Sequence, residues 1–132
     1  MSYYFNKILS EKIFEEVILQ VTDELKKEGF GVLTEIDVKE TLKKKIDVDI
    51  KKYKILGACN PHFAHKALQV ENKLGVLLPC NVIVQELENG NIEVSAVDPI
   101  ASMGFVNNSA LEDIANEVQQ KLKNVIDNLD YL

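Results

Sequence analysis

The amino-acid sequence predicts an α+β protein in which helices pack on one face of a mainly antiparallel sheet. Three observations favour this class. Two long stretches repeat apolar residues at helical spacing, several short runs have the composition of strands, and an Asn-Gly pair joins two of those runs. Because these patterns alternate along only 132 residues, we expect a single domain over residues 1–132.

The N-terminal third predicts a strand, an amphipathic helix and a second strand. Residues 3–9 mix aromatic and apolar side chains and predict the first strand. Apolar residues then recur every three or four positions until Gly29, which is placed to end the helix: Phe14, Val17, Ile18, Val21 and Leu25. After Gly31, residues 32–38 predict the second strand.

The middle of the chain predicts a third strand followed by a second long helix. Residues 41–46, with three lysines, indicate either a short helix or an irregular excursion, and residues 53–58 predict a strand that stops at Cys59. Asn60-Pro61 predicts a helix start, since Asn caps free amides and proline fits the first turn. Gly75 is its expected end. Its apolar face holds Phe63, Ala64, Ala67 and Leu68, and its other side holds His62, His65, Lys66 and Gln69.

The C-terminal part predicts two strands joined by a tight turn and a last helix. Residues 76–84 are almost continuously apolar and predict a fourth strand entered at Pro79, and Asn89-Gly90 predicts a two-residue turn into a fifth strand at residues 92–97. Residues 100–108 are expected to be a connection. Ser109 with Glu112 predicts a capping box for a helix of about five turns, whose stripe is Leu111, Ile114, Ala115, Val118, Leu122, Val125, Ile126 and Leu129.

Composition and charge restrict the functional class. The formal net charge is -6, from 15 basic and 21 acidic side chains, and it argues against nucleic-acid binding because phosphate backbones are repelled. No apolar stretch approaches the roughly 18 residues needed to span a bilayer, and the N-terminus does not resemble a signal peptide. We therefore expect a cytoplasmic protein with no membrane partner, in which both cysteines are free thiols or metal ligands.

Two segments concentrate the reactive side chains of the chain. Residues 57–65 (GACNPHFAH) and 77–82 (LLPCNV) each carry a Cys-Asn pair, and together they contain both cysteines and both histidines. We expect these segments to meet and to face a shared hollow. The candidate ligand-binding residues are Cys59, Asn60, His62, His65, Cys80, Asn81 and Asp98.

Two functional hypotheses follow from this concentration. The first is a non-enzymatic binding protein that holds a small molecule or ion near the two Cys-Asn pairs. The alternative is a thiol-dependent or metal-dependent enzyme or redox protein, in which Cys59 precedes a helix start that favours its thiolate, His62 is the base and Cys80 resolves the oxidised thiol. As metal ligands, Cys59, His62, His65 and Cys80 would suit zinc or copper. The sequence identifies no cofactor.

Each candidate residue also has an ordinary structural explanation. Free cysteines are frequently small buried apolar residues, and two histidines on one helix side are frequently solvated. Asn60, Asn81 and Asp98 could act only as a helix cap, a turn residue and a strand end.

Five motifs occur along the chain: GFGVLTEIDV (29–38), YKILGACNP (53–61), AHKAL (64–68), LLPCNV (77–82) and VSAVDP (94–99). In this order and at this spacing, they resemble the family of the domain of unknown function 302. The resemblance implies a small α+β sandwich related to the TATA-binding-protein-like arrangement, in the order β-α-β-β-(α)-β-β-α, and a homodimer. It implies no catalytic residues. Apolar residues at the chain ends agree with a covered dimer surface: Tyr3, Tyr4, Tyr131 and Leu132.

Overall fold

The structure, a computed structural model, describes residues 2–130. Within these residues the chain forms one five-stranded sheet and five α-helices. The strands are Tyr4–Leu9 (β1), Gly31–Asp37 (β2), Tyr53–Cys59 (β3), Cys80–Glu86 (β4) and Ile92–Val97 (β5). The helices are Phe14–Lys27 (α1), Val38–Ile46 (α2), Pro61–Val70 (α3), Pro99–Met103 (α4) and Ala110–Asp127 (α5), and short 3₁₀-helices span Asn72–Leu77 and Asn128–Asp130.

The sheet has the strand order β1-β5-β4-β3-β2, and every neighbouring pair is antiparallel. This confirms the predicted fold class. The register of β3 and β4 sets Ala58 opposite Cys80, so that the end of one strand lies beside the beginning of the next. The two Cys-Asn pairs are therefore brought to the same end of the sheet.

The turn between β4 and β5 occurs at the predicted place but is one residue longer than predicted. Leu87 N donates to Asn91 O at 2.8 Å, and Gly90 N donates to Leu87 O at 2.9 Å, so three residues form the loop. Gly90 has a φ of +87°, the left-handed conformation that closes a three-residue hairpin of this kind. The Asn-Gly pair thus predicts the position of the hairpin correctly but predicts a loop that is one residue too short.

The main core lies between one face of the sheet and the helices α1 and α5. Alternate strand residues point into it, and the apolar stripes of both helices cover them. These buried side chains include Leu56, Val82, Val84 and Val94 from the sheet and Val21, Leu25, Leu122 and Val125 from the helices. The predicted stripes therefore form the core, and helices do pack on one face of the sheet.

The opposite face of the sheet, here called the open face, belongs to no hydrophobic core within the described residues. It carries the other strand residues, among them Asn81 and Ile83 of β4. Its polar groups bond to one another: Ser95 Oγ donates to Asn6 Oδ1 at 2.7 Å.

A second, smaller core lies beneath α3, α4 and the first 3₁₀-helix, and we call it the satellite core. Ala67, Leu74 and Leu111 are its buried residues. Ile114 of α5 packs against both this cluster and the main core. The N-terminal part of α5 is therefore shared between two hydrophobic clusters.

Three predicted element boundaries are wrong. Val38 begins α2 instead of ending a strand, because the Asp37 side chain accepts a hydrogen bond from Glu40 N and caps a helix there. Helix α3 ends at Val70 and not at Gly75, and a separate 3₁₀-helix continues the chain to Leu77. The fourth strand, in contrast, begins at Cys80 just after Pro79, as predicted. Residues 99–103, expected to lie in a connection, form α4, which the Asp98 side chain caps.

Two predicted helix caps are also wrong. The Asn60 side chain makes no cap bond to α3, because the bond from its Nδ2 to Glu28 O, 3.3 Å away, holds the amide in an orientation in which Oδ1 accepts from no described N–H. Ser109 already has helical backbone angles and makes no side-chain cap bond to α5. Asn108 replaces it, and its Oδ1 accepts from Ala110 N at 3.0 Å. Among residues 2–130, no helix has the length and apolar character needed to cross a bilayer.

Candidate functional site

A cavity of about 270 Å³ lies between the main core and the satellite core. Its walls come from the ends of β3 and β4, from α3 and α4, and from the N-terminal half of α5. Helix α3 packs on α5 and on the first 3₁₀-helix, and α4 also packs on α5, so the helical wall is continuous. Leu33 lines the cavity while 68% exposed, and so marks its solvent side.

The wall of the cavity is mainly apolar and, within residues 2–130, contains no charged side chain. Alanines form much of it: Ala58, Ala64, Ala67 and Ala115. Larger side chains complete the wall, among them Phe63, Met103 and Val118. A molecule held here would meet an environment that favours apolar surface and opposes a net charge.

Both cysteines line this cavity, as free thiols. The antiparallel register of β3 and β4 explains this placement, because Cys80 lies opposite Ala58, the residue just before Cys59. Cys80 is 8% exposed, and its burial, with a smaller contribution from Cys59 nearby, raises the pKa of its thiol to about 11. Cys80 is therefore a neutral thiol at physiological pH.

Asn60 is the third polar residue of the cavity wall, and it is only 7% exposed. Its Nδ2 is directed away to Glu28 O in the turn after α1. Its Oδ1 is buried and accepts no hydrogen bond from any described group. A buried acceptor without a donor is uncommon in proteins, which makes this atom the most informative polar group of the site.

The other four candidate residues do not line the cavity. His62 and His65 are exposed, on the side of α3 that faces away from Ala67. Asn81 is exposed on the open face, because it follows Cys80 in a strand and must point to the opposite side. Asp98 caps α4 and accepts from Gln119 Nε2 at 3.0 Å. The expectation that one hollow collects all seven residues is therefore wrong.

The proposed set of four metal ligands also does not assemble. Within residues 2–130, no three or more His, Cys, Asp or Glu side chains lie in a group that could hold a metal ion. The two thiols share the cavity wall, but neither histidine does.

The sequence patterns had assigned the parts of the cavity wall on α3 and α5 to the core. Phe63, Ala64 and Ala67 were expected on the buried face of α3, and Ala115 on the stripe of α5, but nothing distinguished a filled core from a hollow one. A usable signal does exist. Alanines on the buried faces of two packed helices leave space that leucine or isoleucine would fill.

Comparisons with known proteins agree with the motifs in the sequence. The family described as Domain of unknown function DUF302 matches residues 6–129. The crystal structure of an uncharacterized conserved protein DUF302 from Bacillus stearothermophilus is similar in fold, with a TM-score of 0.88 and 31% identity, covering 96% of this chain and 98% of that one. No curated protein matches the chain. The family predicted from the five motifs is confirmed.

Proposed function

The chain belongs to the family of the domain of unknown function DUF302, and we propose that it is a binding protein for one small, mainly apolar molecule. The observation that carries the proposal is the uncharged cavity of about 270 Å³ between the main and satellite cores. Pockets that bind small molecules are commonly lined by apolar side chains with a few polar groups, and this cavity has such a lining between two hydrophobic cores. The ligand would contact the residues of the cavity wall, among which Cys59, Cys80 and Asn60 carry the polar side chains.

The volume of the cavity supports a ligand of about two rings. Drug-sized ligands occupy pockets of roughly 300 to 1,000 Å³, and an engineered apolar cavity of about 150 Å³ holds benzene. At about 270 Å³, this cavity lies between those cases. A bicyclic aromatic molecule or a branched aliphatic one of similar size would fit.

The alternative, a thiol-dependent or metal-dependent enzyme or redox protein, finds less support. Such an enzyme needs a base or a metal beside an ionisable thiol. His62 and His65 lie outside the cavity wall, and burial raises the pKa of Cys80 to about 11, so that Cys80 would resolve an oxidised Cys59 slowly at neutral pH. Binding without chemistry requires neither condition.

The proposal is tested by titrating isotope-labelled protein with methylnaphthalene and following backbone amide signals by NMR. We expect shifts at Ala58, Ala64 and Ala115 in the wall and none at Tyr4 or Ile8, which are exposed on β1. No shift up to the solubility limit of the probe, or shifts confined to the open face, would contradict the proposal.

The homodimer and the cytoplasmic location remain predictions. The open face is the surface we would test for dimerisation, because Tyr4 and Ile8 are exposed there and the rings of Tyr3 and Tyr4 meet edge to face, 5.0 Å apart. Tyr131 and Leu132, also expected to contribute, lie outside the described residues. Light scattering should give twice 14.9 kDa for a dimer, and Ile8→Lys should reduce that mass.

A further inference from the structure

We infer that the ligand of the cavity is an uncharged molecule that donates one hydrogen bond, from a hydroxyl or N–H group, to Asn60 Oδ1. This inference rests on the proposed function and extends it from an apolar ligand to a class of ligands with one polar atom. It also assigns to Asn60 the role of the specificity-determining residue.

Asn60 has an acceptor atom to which no described group donates a hydrogen bond. A side-chain amide has two donors and an acceptor, and its Nδ2 is used by Glu28 O. The acceptor, Oδ1, has no partner, and the residue is buried, with only 7% of its surface exposed. Leaving a buried acceptor unpaired costs free energy, so a molecule that supplies the missing donor gains affinity.

Among the described residues, the cavity wall offers Oδ1 no strong side-chain donor. Apart from Asn60, the polar side chains of the wall are the thiols of Cys59 and Cys80, and S–H is a weak donor that makes no bond to Oδ1 here. A hydroxyl or N–H group on the ligand is then the natural partner.

Oδ1 has almost no accessible surface, so a ligand reaches it only when the Asn60 amide turns toward the cavity. The bond from Nδ2 to Glu28 O is 3.3 Å, which is long for an N–H donor, so the amide can turn without losing a strong interaction. Gly29 carries no Cβ, and the position where one would stand lies 3.0 Å from Nδ2, so the glycine leaves room for the amide beside the turn after α1.

The cavity is unsuited to charged ligands. Among the described residues, its wall contains no Lys, Arg, Asp or Glu that could pair with a carboxylate or an ammonium group. A charge transferred from water into such a site loses its hydration without compensation. A neutral alcohol, phenol or aromatic N–H compound loses much less.

The test compares three probes substituted at the same ring carbon: naphthol, methylnaphthalene and naphthoate. In calorimetric titrations at neutral pH, we expect naphthol to bind about tenfold more tightly than methylnaphthalene, because only naphthol donates to Oδ1. Ionised naphthoate should bind more weakly than either. Equal affinities of naphthol and methylnaphthalene, or a preference for naphthoate, would overturn the inference about Asn60 while the proposed function survives. If no probe binds, the proposed function itself fails.

The variant Asn60→Leu tests whether Asn60 causes the preference for naphthol over methylnaphthalene. Asn60→Leu removes the acceptor and keeps a similar volume, so methylnaphthalene should still bind while the preference for naphthol disappears. A folded variant that retains the preference would overturn the inference. If Asn60→Leu does not fold, the side-chain amide signals of Asn60 in the unmodified protein provide the second readout. They should shift with naphthol and stay unchanged with methylnaphthalene, and the same response to both probes would count against the inference.

Discussion

The main core and the region around the cavity belong to the same layer of helices and sheet, yet one is filled and the other is hollow. In the main core, large aliphatic side chains such as Leu25, Val94 and Leu122 are fully buried against each other. Around the cavity, alanines occupy comparable positions on β3, α3 and α5. The contrast is clearest along α5, where Leu122 fills space and Ala115, seven residues earlier on the same stripe, leaves it. Side-chain volume, with no change in fold, separates a region built for stability from one suited to a ligand.

The filled main core is tested by a substitution that removes a large buried side chain from it. Leu122→Ala should lower the free energy of unfolding by about 2–5 kcal/mol, because Leu122 is fully buried and its neighbours cannot close the gap. Leu68→Ala, at a position that is exposed on α3, is the matched control and should have a much smaller effect. Denaturant unfolding monitored by circular dichroism measures both. Equal losses would mean that the main core is not the stabilising region.

The hollow side is tested by the reactivity of its buried thiol. In a Cys59→Ser protein, Cys80 should react with an alkylating agent at pH 8 up to about a hundredfold more slowly than it does in the unfolded chain. Burial, which the variant keeps, is the main cause that raises its pKa from 9.0 to about 11, and each pKa unit is about a tenfold change in thiolate. The rate should keep rising until about pH 11. The same variant unfolded in urea is the control, and equal rates in the two states would contradict the burial of the thiol.

The same raised pKa predicts how stability depends on pH. Between pH 9.0 and about 11 the unfolded chain loses the Cys80 proton more readily than the folded protein does, so this thiol favours the folded state below that range and ceases to do so as the pH rises through it. Comparison with Cys80→Ala isolates the contribution from those of other groups that titrate there. A smaller loss of stability in the unmodified protein than in the variant would contradict the prediction.

The strand end that forms the floor of the cavity depends on a close approach at Gly57. A Cβ at this position would lie 2.8 Å from Pro79 Cγ and would collide with Thr34 Oγ1. We therefore expect Gly57→Ala to destabilise the protein by about 1–3 kcal/mol, as overpacking commonly does. Gly75→Ala, where nothing lies within 4 Å of the added carbon, is the control for thermal unfolding experiments. A stable Gly57→Ala protein would show that the strands can separate without cost.

Filling the hollow region should make it resemble the main core. Ala64→Leu adds volume inside the cavity, so the affinity for methylnaphthalene should fall at least about tenfold while the free energy of unfolding changes by less than about 1 kcal/mol. Ala101→Leu, at an exposed position on α4, should leave the affinity unchanged. Unaltered binding by Ala64→Leu in a titration would place the probe elsewhere.

The smallest effects are expected at the histidines. His62→Gln and His65→Gln, both at exposed positions outside the cavity wall, should change the free energy of unfolding by less than about 0.5 kcal/mol. Binding of methylnaphthalene should also stay the same. A marked loss of binding in either variant would return the histidines to the site and favour the enzyme hypothesis.

Elements with strong periodicity were predictable from sequence. The stripes of α1 and α5 and the alternation of β5 each follow one local period, and each lies where the sequence indicated. Two helices, α2 and α4, start at local caps, Asp37 and Asp98, that were not recognised. One further failure occurred where a nonlocal partner decides the outcome. Asn60 has the residue type and position of a helix cap, but Glu28 O, 32 positions away along the chain, takes its amide instead.

In the candidate site, too, strand and helix patterns predict where some residues lie, whereas tertiary packing decides the rest. The meeting of Cys59 and Cys80 required only that β3 and β4 be antiparallel neighbours, which is a common arrangement. The exclusion of Asn81 could have been inferred, because it follows Cys80 in a strand and successive strand residues face opposite sides. The helical pattern had likewise placed His62 and His65 away from the apolar face. The hollow itself depends on how three helices fit together, which the alanines of α3 and α5 permit but do not alone determine.

The three-residue loop between β4 and β5 has a practical consequence. Residues 88–90 are exposed at one end of the hairpin, whereas β4 begins at the cavity with Cys80. A dye, an affinity handle or a surface linker attached at residue 88 would thus sit a full strand length from any bound molecule. Immobilised by this tip, the protein would present its pocket freely to a solution of compounds, which suits it to screening for its own ligand.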